Sequence, residues 1–207
     1  MRILAFTDIH GKKSLVERII EKSLDVDLVV CCGDLSSFGH GLKEVSEKLS
    51  TIKKRLLIIP GNNETNLQVD ELCRKYNWVN IHGETFKINE CVFAGVGGST
   101  HTPFRTPFEL KENEIERILV SFKGIRNLVL VTHSPPHNTR LDEVLWRMHV
   151  GSVAIRKFIE EEKPILTICG HVHEKAGLEE KIGETKALNP GGSGLIIEIK
   201  GNLIKVF

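Results

Sequence analysis

The sequence ILAFTDIH at residues 3–10 combines a run of apolar side chains with two potential metal ligands, Asp8 and His10. Short runs rich in Ile, Leu and Val are typical of buried β-strands. Asp8 and His10 follow the run, so we expect them where the strand gives way to a loop. Because open α/β sheets place their active sites at this end of their strands, the segment predicts a strand that leads into a functional site.

Four further blocks along the chain have the same design, an apolar run followed by a residue that can bind a metal ion. They are LVVCCGD at 28–34, LLIIPGNN at 56–63, LVLVTH at 128–133 and ILTICGHVH at 165–173. Amphipathic segments separate the first three blocks, and this alternation is typical of βαβ units. The chain is therefore predicted to be an α/β protein. Its strand ends offer these candidate ligands: Asp8, His10, Asp34, Asn62, His133, His171 and His173.

The segments between the blocks carry signals for helices and turns. Thr65 with Gln68, and likewise Ser14 with Glu17, have the spacing of a capping box, which predicts that a helix begins at each place. Short apolar runs flank Asn89–Glu90, which predicts a hairpin.

Two more hairpin and loop signals lie later in the chain. The last two strand-like runs meet at Gly201–Asn202, which predicts a second hairpin. The loop at residues 97–107 is rich in Gly, Ser, Thr and Pro, and its length favours a place beside the active site. Apolar residues around Trp146 indicate either a further apolar surface or part of the core.

Length and composition restrict the class of protein. At 207 residues the chain has the size of one domain, so we predict a single domain over residues 1–207. Lys and Arg number 28 against 27 Asp and Glu, and the formal net charge of +1 gives no general attraction for nucleic acid or anionic lipid. Five cysteines are an odd number, so we expect no disulfide framework. Without a signal segment or an apolar run of about 18 to 20 residues, we expect a cytoplasmic protein.

The candidate ligands comprise two carboxylates, one amide and four imidazoles. At any one strand end a turn or capping role explains a His or Asp equally well, but five blocks in series favour a metal centre. The set is too large for one tetrahedral ion and suits two ions that share a ligand. Oxygen and imidazole donors without thiolate favour Mn, Fe, Co or Zn over Ca. Two such ions about 3.5 to 4 Å apart can hold a bridging hydroxide and clamp a phosphoryl group, so the implied reaction is phosphoester hydrolysis.

The spacing of the ligands suggests how they converge. Asp8 and His10 are two residues apart, so in extended backbone their side chains point to the same side and can reach one ion. His171 and His173 repeat this spacing.

The order of the motifs D-x-H, G-D, G-N-x-E, T-H-S-P-P and G-H-V-H resembles the calcineurin-like metallophosphoesterase family over nearly the whole chain. The resemblance implies a four-layer αββα sandwich, in which two mixed sheets pack face to face and are flanked by helices. It also implies a centre of two divalent metal ions, for which we expect Mn, with Fe, Zn, Co or Ni as alternatives. The family pattern assigns one ion to Asp8, His10 and His173, the other to Asn62, His133 and His171, and a bridging role to Asp34.

The chain departs from the family at Asn63, where members that are good phosphatases usually have a histidine. Asn63 can donate a hydrogen bond to a phosphoryl oxygen, but it cannot titrate, and general acid catalysis is typically worth about 10² to 10⁴ in rate. We therefore predict Asp34 and Asn63 as catalytic residues and expect phosphodiesters to be favoured over monoesters.

Four residues of the neighbouring loops are predicted to bind substrate. His101 and His137 are candidates to replace the missing histidine, because loops near such a site often carry function. Arg105 and Arg140 can each hold a phosphate through two hydrogen bonds. The alternative is that each is a solvated loop charge or part of an ion pair.

These features predict a metal-dependent phosphoester hydrolase, a phosphodiesterase or phosphatase, that acts on a small molecule. One alternative is a binding scaffold without turnover, similar to the retromer subunit of the family, but a scaffold has no need for seven intact ligands. Another is a nuclease, against which the near-neutral charge and the lack of a basic stripe argue. No membrane partner is expected, and a homo-oligomer is left open.

Overall fold

The computed structural model describes residues 1–201 and 203–207. Within these residues the chain forms twelve β-strands, five α-helices and three short 3₁₀ helices. The strands are β1 (Arg2–Phe6), β2 (Leu28–Cys31), β3 (Arg55–Ile58), β4 (Val79–Asn80), β5 (Thr85–Ile88), β6 (Cys91–Val96), β7 (Leu128–Thr132), β8 (Leu166–Ile168), β9 (Glu179–Ile182), β10 (Thr185–Leu188), β11 (Leu195–Lys200) and β12 (Leu203–Val206). The α-helices are α1 (Lys13–Lys22), α2 (Leu42–Leu49), α3 (Asn66–Tyr76), α4 (Glu112–Val120) and α5 (Val153–Glu162).

The described strands form two mixed sheets of six strands each. The first has the order β12-β11-β1-β2-β3-β4, in which β1 to β4 are parallel and β11 runs antiparallel to β1. The second has the order β5-β6-β7-β8-β10-β9, in which the four inner strands are parallel and both edge strands are antiparallel. Because parallel neighbours end at the same edge of a sheet, the loops that follow them leave together.

The strand register brings these ends level. Phe6 at the end of β1 pairs with Cys31 at the end of β2, and Cys31 pairs with Ile58 at the end of β3. In the second sheet, Val131 of β7 pairs with Ile168 at the end of β8. The residues that follow each of these strands therefore start from one edge of each sheet.

Strands buried on both faces explain the continuous apolar runs of the sequence. On β1, Ile3 and Ala5 face a core shared by the two sheets, whereas Leu4 and Phe6 pack against helices. Helices α1, α2 and α3 cover the outer face of the first sheet, and α4 and α5 cover that of the second. The layers follow the order helix, sheet, sheet, helix, which confirms the predicted αββα sandwich.

Of the two predicted capping boxes, one is confirmed and the other is wrong. The capping box at Thr65 is confirmed, since the N–H of Gln68 donates to Thr65 Oγ1 at 3.3 Å and the N–H of Thr65 donates to Gln68 Oε1 at 2.9 Å. The one at Ser14 is wrong, because α1 begins at Lys13 and Ser14 lies inside the helix. The helix can start earlier since the carbonyl of Lys12 already accepts its first hydrogen bonds.

Both predicted hairpins have antiparallel strand pairs. Strand β5 pairs with β6, and β11 pairs with β12. Asn202, part of the predicted second turn, lies outside the described residues.

Trp146 is 90% exposed, so the stretch around it is surface and not core. Among the described helices, none combines the length and apolar character needed to cross a bilayer.

Candidate metal centre

The seven predicted ligands come together from the loops that follow β1, β2, β3, β7 and β8. Ligands far apart in the sequence approach each other closely. Nε2 of His10 lies 3.0 Å from Nε2 of His173, and Oδ1 of Asn62 lies 2.8 Å from Nε2 of His133. The two packed sheets thus gather side chains from five loops at one place.

Several ligands sit on left-handed backbone, which non-glycine residues rarely adopt and which costs about 1 to 3 kcal/mol each. Hydrogen bonds between loops stabilise this conformation. The N–H of Asp8 donates to the carbonyl of Gly33 at 3.1 Å, and the N–H of His10 donates to the carbonyl of Asp34 at 3.1 Å. The left-handed ligands are Asp8 (φ 55°), His10 (φ 47°), Asp34 (φ 55°) and His171 (φ 71°).

This geometry corrects one expectation from the sequence. Strand β1 ends at Phe6, so Asp8 and His10 do not converge from extended backbone. They converge because each lies on left-handed backbone that turns the loop. The same correction applies after β8, where His171 is left-handed and His173 begins a 3₁₀ helix.

The loops after β2 and β3 approach so closely that only glycine fits at two positions. Gly33 has φ +96°, and a Cβ there would lie 2.8 Å from the carbonyl carbon of Pro60. A Cβ on Gly61 would overlap the carboxylate of Asp34 and lie 2.6 Å from its Cγ. This close approach allows Asp34 and Asn62, which follow neighbouring strands, to reach the same site.

Asp8, His10 and His173 form one half of the centre. Oδ1 of Asp8 lies 3.4 Å from Nε2 of His173 and 3.7 Å from Nε2 of His10. The other oxygen, Oδ2, accepts the N–H of His171 at 3.0 Å. Among the described residues, Oδ1 is buried without a hydrogen-bond partner. Such an unsatisfied oxygen is costly, and a cation between these three side chains would satisfy it.

The charges of this half favour a cation. Burial acts to raise the pKa of Asp8, but the neighbouring imidazoles of His10 and His173 outweigh it and hold that pKa below its usual range. The contact with Asp8 raises the pKa of His173. Burial acts to lower the pKa of His10, but Asp8 and Asp34 outweigh it and raise that pKa. A place that stabilises protonated imidazole also suits a divalent cation.

Asn62, His133 and His171 form the other half. Nδ1 of His133 donates to the carbonyl of Cys32 at 2.8 Å, so its other ring nitrogen, Nε2, is the one that faces Asn62. Nδ1 of His171 lies 2.9 Å from the same amide oxygen. Burial and the nearby His133 lower the pKa of His171 to about 3, so its imidazole is neutral at pH 7. Two imidazole nitrogens and an amide oxygen directed at one point suit a metal ion.

Asp34 lies between the two halves and is buried. Its Oδ2 is 3.4 Å from Nε2 of His10 and 3.6 Å from Nε2 of His133. One carboxylate oxygen thus faces both halves, as a ligand shared by two cations must. The donor set of the chain therefore fits two divalent ions.

Asn63 is held against Asp34. Its amide nitrogen Nδ2 donates to Asp34 Oδ2 at 2.6 Å, and its backbone N–H donates to Asp34 Oδ1 at 2.9 Å. Its own Oδ1 accepts the N–H of Phe38 at 2.9 Å. The contacts in the structure therefore orient the Asp34 carboxylate.

Sequence reasoning gave no role to Glu64, although it is the acidic residue of the G-N-x-E block. Its carboxylate is buried and accepts hydrogen bonds from the N–H of Asp34 at 3.1 Å and from the N–H and hydroxyl of Ser36 at 2.7 and 2.6 Å. Burial and the charge of Asp34 raise the pKa of Glu64 to about 7. Glu64 ties the loop after β3 to the loop after β2 and thereby positions Asp34. The sequence signal for this role was the position of Glu64 two residues after Asn62, in the G-N-x-E motif.

Asn189 has a similar positioning role that the sequence did not reveal. Its side chain is buried, and its Nδ2 donates to the carbonyl of Val172 at 3.0 Å. Its Oδ1 accepts the N–H of Gly191 at 2.9 Å. Asn189 therefore braces the segment that presents His171 and His173.

Of the four predicted substrate-binding residues, His101 lies beside the centre. It lines a groove that Asn62 and His171 also line. Its Nδ1 lies 3.1 Å from Glu109 Oε2. The loop at residues 97–107 therefore does border the candidate centre.

The other three lie elsewhere in the described part of the chain. Nδ1 of His137 lies 3.6 Å from the buried carboxylate of Asp142. Arg140 lines a separate groove with Glu143, and Arg105 is exposed on left-handed backbone. None of the three lines the groove at Asn62, and their binding of substrate stays a prediction.

Comparison with known proteins is consistent with this geometry. A family model described as calcineurin-like phosphoesterase matches residues 1–175. An uncharacterized protein of Methanocaldococcus jannaschii is 39% identical over 212 residues, which cover 99% of this chain and 94% of that protein. A solved structure from Thermus thermophilus has a TM-score of 0.78 at 17% identity, over 100% of this chain and 97% of the other.

A dimetal phosphatase from Danio rerio has a TM-score of 0.68 at 10% identity, over 100% of this chain and 98% of the other. Both solved structures are similar to this chain in fold. The family match covers most of the chain and contains all seven predicted ligands. The chain belongs to the calcineurin-like phosphoesterase family.

Proposed function

We propose that this chain hydrolyses a small phosphoester at a centre of two divalent cations. The observation that carries the proposal is the position of Asp34 Oδ2, which lies 3.4 Å from Nε2 of His10 and 3.6 Å from Nε2 of His133. Membership of the family supports a metal-dependent phosphoester hydrolase. We propose Mn as the cation, with Fe, Zn, Co or Ni as alternatives, because oxygen and imidazole donors without thiolate suit these ions.

Each residue of the centre has a proposed task. When bound, the two cations would activate water and neutralise charge on the phosphoryl oxygens. Asp34 would be shared by both cations, and Glu64 keeps its loop in place. Asp8, His10 and His173 would hold one cation. Asn62, His133 and His171 would hold the other.

Asn63 supports a preference for phosphodiesters over monoesters. An amide nitrogen carries two hydrogens, and one of those on Asn63 is used by Asp34. The other can donate to a phosphoryl oxygen. Because Asn63 cannot deliver a proton, esters whose leaving group needs protonation lose a factor of about 10² to 10⁴ in rate.

We also propose that residues 1–207 act as one domain, although the family match ends at residue 175. Strands β9 to β12 follow that point, yet β10 pairs with β8 and β11 pairs with β1. Both sheets therefore include the last segment. A small molecule is the proposed partner, since the net charge of +1 gives no general attraction for nucleic acid.

The test combines metal binding with hydrolysis. Protein stripped with a chelator is titrated with Mn²⁺ by calorimetry and assayed with bis(p-nitrophenyl) phosphate and p-nitrophenyl phosphate. We expect two Mn²⁺ per chain and hydrolysis of these esters, whose p-nitrophenolate leaving group needs no protonation. Asp34→Asn, which keeps the shape of the side chain but removes its charge, should abolish hydrolysis. Asp27→Asn, at the opposite end of β2, is the matched control and should retain it.

The outcomes separate the alternatives. Binding of two Mn²⁺ without hydrolysis of a broad ester panel would favour the scaffold. Strongly salt-dependent binding to DNA would favour the nuclease. Wild-type activity of Asp34→Asn would contradict the shared-ligand centre.

A further inference from the structure

A groove of about 410 Å³ opens beside the Asn62 half of the centre. Asn62 and His171, two of the predicted ligands, line it. Its walls come from the loop between β6 and α4, the loop between β7 and α5, and the segment after β8. We call it the apolar groove and define it by five of its lining residues, Phe104, Val144, Met148, Val150 and Val172.

The apolar groove leaves large side chains uncovered next to the centre. Phe104 is 74% exposed and Met148 is 55% exposed, and they come from two different loops. Large apolar side chains that share an exposed cleft usually mark a binding site. A ligand in the groove would cover both and remove apolar surface from water.

The walls of the groove are tied together before any ligand binds. The hydroxyl of Thr100 donates to the carbonyl of Val150 at 3.0 Å and so joins the two loops. The N–H of Thr100 donates to Ser134 Oγ at 3.1 Å, directly after His133. The loop of Phe104 is closed by Glu109, whose Oε1 accepts the hydroxyl of Thr102 at 2.7 Å.

Charge restricts what the apolar groove can hold. Among the described residues that line it, none is Lys or Arg, and Glu174 contributes a carboxylate. The groove on the other side of the centre differs, because Lys12 and Lys22 line it together with Asp8 and His173. A second anionic group of a substrate would therefore be repelled from the apolar groove, whereas an uncharged apolar group would fit it.

We infer that the apolar groove binds the alcohol portion of the substrate, and that this portion is uncharged and largely apolar, with a ring or similar flat group against Phe104. The inference rests on the proposed function, since it requires a phosphoryl group at the metal centre. It makes Phe104 and Met148 the residues that select the substrate. Thioether and aromatic side chains suit such a group, because both contact flat rings favourably.

The test uses ligands that bind but cannot be hydrolysed. Benzylphosphonate and methylphosphonate share the charged head group and differ in the apolar ring. With Mn²⁺-loaded protein, calorimetry should show that benzylphosphonate binds at least about tenfold more tightly, which is about 1.4 kcal/mol. The double variant Phe104→Ala/Met148→Ala should bind both phosphonates equally.

The matched control is the double variant Leu24→Ala/Val120→Ala. Its two side chains are 69% and 55% exposed and do not line the groove, so the preference for benzylphosphonate should persist. Circular dichroism of each variant checks that it is folded.

Each outcome bears on a different proposal. Equal binding of both phosphonates by wild type, or a preference that survives Phe104→Ala/Met148→Ala, would overturn the inference but leave the metal centre intact. Failure of both phosphonates to bind, together with no ester hydrolysis, would overturn the proposed function itself. A dimer that dissociates in Phe104→Ala/Met148→Ala would show that a second copy of the chain covers the groove, and would also overturn the inference.

Discussion

Gly61→Ala should disrupt the metal centre by displacing a single ligand, Asp34. Gly61 precedes Asn62 in the loop after β3, and its Cα faces the Asp34 side chain of the neighbouring loop. A methyl group at this position would lie 2.6 Å from Cγ of Asp34. Backbone strain does not contribute, because Gly61 is not among the residues with positive φ.

The size of the effect follows from this distance. Carbon atoms in contact are separated by about 3.5 Å or more, so the carboxylate must retreat by about 1 Å. Metal–ligand distances hold within about 0.2 Å, so Asp34 would no longer reach both cations. We expect Mn²⁺ affinity to fall at least about 100-fold, or about 2.7 kcal/mol. The extra methyl should also cost about 1 to 3 kcal/mol of the free energy of unfolding.

Gly95→Ala separates these two effects. Gly95 lies in β6, and a Cβ there would lie 2.6 Å from Cγ2 of Ile59. The carbonyl oxygen of Ile81 would lie at 2.5 Å, so the overlap is severe although smaller than at Gly61, and it involves no predicted ligand. Both variants should lose stability in urea unfolding, whereas only Gly61→Ala should lose Mn²⁺ affinity in calorimetry and hydrolysis of bis(p-nitrophenyl) phosphate. Two Mn²⁺ bound by Gly61→Ala with wild-type affinity would refute the reasoning.

Three further changes test the surroundings of the centre. Glu64→Gln keeps the shape of a buried side chain but removes the charge of the carboxylate that accepts the N–H of Asp34. Mn²⁺ affinity should therefore fall about 10- to 100-fold in calorimetry. Unchanged affinity would exclude a positioning role. Asn63→His supplies a titratable group, so hydrolysis of phenyl phosphate should rise at least about tenfold and fall at alkaline pH; an unchanged pH profile would contradict this. Glu109→Gln should lower stability at pH 7 by about 1 to 2 kcal/mol in urea unfolding. Burial acts to raise the pKa of Glu109, but hydrogen bonds from its loop outweigh burial and lower that pKa from 4.5 to about 2. The stabilisation is therefore present above pH 4.5 and lost toward pH 2. A stability difference between Glu109→Gln and wild type that did not shrink on acidification would contradict this prediction.

The strands and the ligand types could be predicted from the sequence because both depend on local residue patterns. A strand packed between a second sheet and a helix layer needs apolar residues on both faces, as Ile3 and Leu4 of β1 show. The ligand types after each strand, such as Asp34 and His133, are apparent without coordinates. Location in the cytoplasm and oligomeric state stay predictions.

The direction of a loop side chain could not be predicted from the sequence. Arg140 follows the ligand block of β7, yet its side chain lines a separate groove. Glu64 was overlooked, although its carboxylate joins two loops. Proximity along the chain does not specify the direction of a side chain on an irregular loop, because that direction depends on backbone dihedrals set by contacts with other loops.

The amino-acid sequence by itself determined the order of apolar runs, the α/β class that they indicate and the identity of the seven potential ligands, and the order of its motifs gave the family resemblance that implies the αββα architecture. Only the tertiary structure decided that Asp8 and His10 converge through left-handed backbone, that one oxygen of Asp34 faces both halves of the centre, and that Phe104 stands beside it. The physical reason is that burial patterns are encoded by neighbouring residues, whereas the loop conformations are stabilised by hydrogen bonds between segments distant in the chain, such as the bond from Asp8 to Gly33.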